Sequence, residues 1–123
     1  MILAASACVA QTPALDRPTH TFGQANGRMW QSFNSGEKLV YVLAVTDTLL
    51  SATPSDLRDY IPKTLNFGEV VSAVDLFYQE PENMPISILQ AMRVVTLKAN
   101  GASPAVIEET KATIRKLITD AKK

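Results

Sequence analysis

LNFGEVVSAVDLFYQEPENMPI, residues 65–86, decides the fold. It reads as a whole helix, a stop and the launch of a second helix. Asn66 followed three residues later by Glu69 has the form of a capping box, in which each side chain satisfies the other residue's amide. Leu65 and Val70 flank the box at the spacing of a hydrophobic staple. Val70, Val71, Val74, Phe77 and Tyr78 fall at i, i+1, i+4, i+7 and i+8 and form one apolar stripe. Ser72, Asp75 and Gln79 lie opposite, so Asp75 is expected on a solvated face. Pro81 ends the run, and Pro85 stands where a first-turn proline of the next helix belongs.

Towards the C-terminus, that next helix is expected over residues 85–100, stopping at Gly101 as a C′ residue. Ile88, Leu89, Met92, Val95 and Ala99 form its main stripe, Ile86, Val94 and Leu97 add apolar surface, and Ser87, Gln90 and Arg93 leave a narrow polar strip. Such a helix is either central or half covered by a partner. Ser103-Pro104 opens a last helix with a cap and a first-turn proline. Ile107, Thr110, Ile114, Leu117, Ile118 and Ala121 share one face of it. Glu108 and Glu109 near its start and Arg115, Lys116, Lys122 and Lys123 near its end complement the helix dipole.

Towards the N-terminus, residues 54–63 read as a connector pinned by Leu57, Tyr60 and Ile61. Before it, Ser35 is expected to cap a helix over residues 36–51. The continuous apolar run 39–45 is compatible with a buried strand, but the cap signal and the lack of a breaker before Pro54 favour helix. A helix apolar on nearly all sides belongs in the middle of a protein. Asp47 near its C-terminus opposes the helix dipole and is expected to pair with Arg28 or Arg93. Residues 26–33 suggest a short helix entered through Asn26, with Met29, Trp30 and Phe33 on one face. Trp30 is expected in the core or a lid rather than as a ligand platform.

Residues 11–25 carry two prolines and little apolar surface and are expected to be a linker, with His20 solvated. Residues 1–10, MILAASACVA, resemble the latter part of a secretory signal. Cleavage after Ala10 fits the small-residue rule, and Ala5-Ser6-Ala7-Cys8 resembles a lipobox with Cys8 as a lipidated N-terminus. The division expected is therefore a leader over 1–10, a linker over 11–25 and one all-α domain over 26–123, a bundle of about five helices. Cys8 is the only cysteine, so no disulfide is expected in the domain.

Twelve basic residues balance twelve acidic ones in the 123-residue chain, and eight aromatics are scattered without basic interleaving. No long-range field gathers nucleic acid or an anionic membrane, and neither is an expected partner. No Gly-rich phosphate loop, Cys/His metal spacing or nucleophile elbow is present, and no cofactor is expected. Glu80, Glu82 and Asn83 bring oxygens together at the corner after Gln79, without the spacing of a calcium loop. The plain reading of that corner has Asn83 helping to cap the next helix.

Two stretches resemble known proteins. Asn26-Gly27-Arg28-x-Trp30, Glu37-Lys38-x-x-Tyr41-Val42 and Asp47, with the block FYQEPENMPI over residues 77–86, resemble signatures of small secreted bacterial proteins, the second an FYxDPENxxIPI pattern with Glu80 in place of aspartate. Residues 41–47 and 61–95 are also distantly similar to the Rap/Tai immunity proteins of type VI secretion. In that segment Ala44 and Thr48 stand where glycines are common. The resemblance implies a helical periplasmic protein that occludes a peptidoglycan amidase effector.

 It also implies a non-enzymatic binding protein whose partner is an effector enzyme.

From these readings a secreted or periplasmic helical protein is expected, not an enzyme, binding a protein partner and forming a homodimer. Glu80, Glu82, Asn83 and Arg93 are its candidate partner-binding residues. Two other readings stand beside it: a structural lipoprotein tethered to the membrane only through Cys8, and a small enzyme or metal site built on Glu80, Glu82 and Asp47.

Overall fold

In a computed structural model of the chain, described over residues 18–52 and 61–123, the local start and stop signals set where the helices run. A short hairpin, β1 (His20–Thr21) and β2 (Gln24–Ala25), leads into five helices among the described residues. They are α1 (Gly27–Ser32), α2 (Ser35–Ala52), α3 (Phe67–Phe77), α4 (Ile88–Ala99) and α5 (Pro104–Ala121), with a 3-10 turn, Pro81–Asn83, between α3 and α4. The protein is an all-α bundle, as its sequence predicts.

The expected capping box opens α3: Asn66 Oδ1 accepts from the Glu69 amide and Glu69 Oε2 from the Asn66 amide, both at 2.8 Å. Leu65 packs against the core that holds Val70. Ser103 caps α5 through the Val106 amide, with Pro104 in the first turn. At the end of α4, Gly101 takes φ +91°. Its amide donates to Lys98 O and that of Ala102 to Leu97 O, the paired bonds of a Schellman stop.

Two helix starts differ from expectation. Asn34, not Ser35, caps α2, exchanging 2.9 Å bonds with Glu37 in a second capping box. The residue three beyond Asn34 is a glutamate, whereas Lys38 stands three beyond Ser35 and cannot accept. Pro85 lies outside α4, which begins at Ile88 behind a Ser87 cap, so Asn83 is not its cap. The carbonyls before Ser87 are taken by other segments. Met84 O accepts the Gly27 amide at 3.0 Å, Pro85 O the Thr21 hydroxyl at 2.6 Å and Ile86 O the Tyr78 hydroxyl at 2.7 Å. Residues 84–87 therefore form a strap of turn and bend, bridged to Asn26 through Ser87.

The described end of the expected linker, residues 18–25, is not a loose strap. It holds the hairpin, whose Phe22 and Gly23 both take positive φ, 52° and 79°, as a type I′ turn requires. Asn26 ties it down by donating its amide to Thr19 O and its side chain to Pro18 O. The leader with Cys8, residues 11–17 and most of the 54–63 connector fall outside the described residues.

α4 occupies the centre, burying Ile88, Ala91, Met92, Val94, Val95 and Thr96 between α3 on one side and α5 on the other. α2 packs on α3 and is not central as expected. Val42 and Thr46 are its buried residues and Tyr41, Val45 and Leu49 are half-buried, while Leu39, Val40, Leu43 and Leu50 face outward. The face of α5 also shifts: Ile107, Lys111, Ile114 and Ile118 are buried, and Leu117 and Ala121 are exposed.

Candidate functional site

Two regions present chemistry: the corner after α3 and the outward face of α2. At the corner, Asn83 is fully buried and donates its side-chain amide to Phe77 O at 2.8 Å. Its oxygen accepts from Arg115 Nη2 on α5. Glu80 receives Lys111 Nζ at 3.1 Å and Arg115 Nη2 at 3.4 Å. Glu108 closes the network on Lys111 at 3.0 Å. Burial alone lowers the pKa of the Lys111 amine, but its hydrogen bonds to Glu108 and Glu80 and their charges outweigh that, leaving it raised above 10.5. These contacts fasten the corner to α5. Asn83 is thus an internal strut rather than part of a recognition surface, and Glu80 has the structural task its sequence context did not show.

Glu82 is exposed on the 3-10 turn, and among the described residues it forms no hydrogen bond or ion pair. Arg93 is half-buried on α4 and engaged in a contact of its own. The structure therefore joins Glu80 and Asn83 through Arg115 and leaves Glu82 outside that network.

Trp30 is in the core, as expected, with 1% exposure. Its indole N–H donates to Asp75 Oδ1 at 2.7 Å, and Lys38 Nζ reaches the same oxygen at 2.7 Å. The ammonium also lies 5.4 Å from the indole centroid. Asp75 is therefore not the solvated face residue expected of it; it locks α1, α2 and α3 together. The neighbouring Asn26-Gly27 pair is structural too. A Cβ on Gly27 would lie 2.5 Å from the Tyr78 ring. Tyr78 itself is buried, and burial followed by the nearby Tyr41 pushes its hydroxyl pKa far above 10.0.

The outward face of α2 is different in kind. Leu39, Val40, Leu43 and Leu50 are 42%, 66%, 49% and 65% exposed, and with Ala44 they share one arc of the helix. Asp47 lies within that arc, exposed, and joins no ion pair among the described residues, so the expected pairing with Arg28 or Arg93 is not formed. Beside it runs a groove of about 670 Å³ whose lining includes His20, Phe33, Tyr41, Ala44, Thr48 and Leu89. His20 is half-buried and bonded to Thr19 Oγ1 through Nδ1 at 2.9 Å, rather than loose in a linker. A second groove, of about 900 Å³, lies between α3, α4 and α5 with Leu76, Phe77, Val95 and Ile107 in its wall and Lys111 in its lining.

Among the described residues, no helix is long and apolar enough to cross a membrane, and no three His, Cys, Asp or Glu side chains are grouped to hold a metal ion. The outward arc escaped the sequence reading because a run apolar on every residue has no period to show which side is buried. Asp47, the charged residue in line with Val40, Leu43 and Leu50, was the signal that marks it. Lys111 was equally visible as the polar member of the 107, 111, 114, 118 series. No family model, curated protein or solved structure matches the chain.

Proposed function

We propose that this chain is an exported, non-enzymatic binding protein of the immunity type, which acts by covering part of a partner enzyme. The observation that carries this reading is the arc of large apolar side chains on α2. An isolated exposed leucine is ordinary, but a contiguous apolar face on a folded domain marks an association surface. Leu43, Ala44 and Asp47 of the arc fall within residues 41–47, a segment that resembles the immunity proteins. Glu80, Lys111, Glu108 and Arg115 are engaged in fastening the corner to α5, which favours scaffold over catalysis there. The helix that motivated a homodimer, residues 85–100, buries most of its apolar residues within one chain, which favours the α2 arc as the association surface.

The test is inhibition. Peptidoglycan amidases from the same cell envelope are assayed with and without an equimolar amount of the purified protein. Loss of turnover of one amidase, with a complex surviving gel filtration, supports the reading. Unchanged turnover of all of them and no complex overturns it. Mass spectrometry of the N-terminus recovered from the periplasmic fraction tests export, with an intact Met1 as the adverse result.

A further inference from the structure

We infer that the outward arc of α2 receives a helix from the partner that is apolar on one face and carries a lysine or arginine placed to meet Asp47. This rests on the binding-protein reading and names the chemistry of what is bound. Val40, Leu43, Asp47 and Leu50 are spaced three, four and three residues apart, the alternation by which one helix seats its knobs between the side chains of another. Leu39 and Ala44 flank that line, and the groove beside Ala44 and Thr48 accepts side chains from the edge of the incoming helix.

Charge decides between occupants. Asp47 is the charged member of the line, and a helix laid over it strips water from its carboxylate. Without a cation opposite, that desolvation opposes binding; with one, it selects the partner. A second copy docked α2 against α2 supplies no such cation. The lysine of α2, Lys38, is directed to the other side, where Asp75 holds its amine at 2.7 Å. The surface fits a basic amphipathic helix of another protein better than it fits itself.

Two labelled synthetic helical peptides serve as probes, sharing one leucine seam and differing only in an arginine or a glutamate at the position facing Asp47. Binding is read by fluorescence anisotropy, and the fold of every variant by circular dichroism. The wild-type protein is expected to bind the arginine peptide about tenfold more tightly than the glutamate peptide, and Asp47→Arg to invert that order. Leu43→Ser is expected to weaken both peptides by a similar factor. Equal affinities for the two peptides, or no binding of either, overturns the inference. So does sedimentation showing a wild-type dimer that Leu43→Ser dissociates, which assigns the arc to a second copy. If an amidase is inhibited and neither Asp47→Arg nor Leu43→Ser relieves it, this assignment falls while the binding-protein reading stands. If the peptide preference holds and no amidase is inhibited, the reverse follows.

Discussion

Trp30 and Asp75, 45 positions apart, are joined by an indole-to-carboxylate hydrogen bond of 2.7 Å. The bond satisfies the one polar atom of a side chain that is otherwise wholly buried, and Lys38 balances the acceptor's charge. Three helices meet at a single carboxylate.

Asp75→Ala strands the indole N–H in the core and is expected to cost about 1–3 kcal/mol. Asp75→Asn keeps an oxygen for the indole and loses chiefly the ion pair to Lys38. With Asp75 44% exposed, solvent screens that pair, which is worth at most about 1 kcal/mol. Urea denaturation followed by tryptophan fluorescence separates the two, and equal losses would show that the indole bond is not what Asp75 supplies.

What was legible in the sequence and what was not divides along this line. The capping box at Asn66, the Ser103-Pro104 start and the Gly101 stop are contacts among residues at most five apart, so residue types at fixed spacing reveal them. Asp75 meets Trp30, Glu80 meets Lys111 and Asn83 meets Arg115 only because helices distant in sequence pack together. Local periodicity places Asp75 opposite the α3 stripe, and it cannot say that another helix covers that side. The same limit applies to α2, whose composition suits the centre of a bundle although its position is at the edge.

Gly27 is held small by its neighbour. Gly27→Ala places a methyl 2.5 Å from the Tyr78 ring and 3.0 Å from Met84 O. The ring cannot swing away while its hydroxyl holds Ile86 O at 2.7 Å. Although alanine is the better helix former, the overpacking is expected to cost about 1–3 kcal/mol. Adding Tyr78→Leu should recover part of the loss, and a double-mutant cycle showing no coupling would contradict the contact.

Asn83 and Glu82 are adjacent and should behave oppositely. Asn83→Ala removes the donor to Phe77 O and the acceptor for Arg115 from a fully buried site, with an expected loss of about 2–3 kcal/mol. Glu82→Lys on the exposed turn should change stability by no more than about 0.5 kcal/mol. Thermal unfolding of the two variants checks the contrast; a large loss for Glu82→Lys would mean that the turn is not solvated.

Thr96 lies in the centre of α4 with 1% exposure, and its hydroxyl has no hydrogen-bond partner among the described residues. Valine has the same shape without the polar atom, so Thr96→Val should be neutral or stabilise by up to about 1 kcal/mol. A clear loss in urea denaturation would reveal a partner for that hydroxyl.

Alkaline pH should loosen the protein through two groups. Tyr78 and Lys111 both hold their protons more tightly when folded, their pKa values being raised from 10.0 and 10.5. For such groups the unfolded chain gives up the proton first, so their contribution is complete below those unfolded values and is lost as pH climbs through the folded ones. Stability attributable to them should be level through neutral pH and fall from about pH 10 upward. Tyr78→Phe deletes the bond to Ile86 O, costing about 0.5–1.5 kcal/mol at pH 7, and also deletes one of the titrations. The gap between wild type and Tyr78→Phe should therefore stay constant up to about pH 9 and narrow above about pH 10. Lys111→Met should behave alike from a slightly higher pH, Glu80 keeping its contact with Arg115. Urea denaturation at intervals to about pH 11 measures both gaps. A gap that widens with pH would mean that the group titrates more easily in the folded protein than out of it, which the burial of Tyr78 and the two carboxylates on Lys111 do not allow.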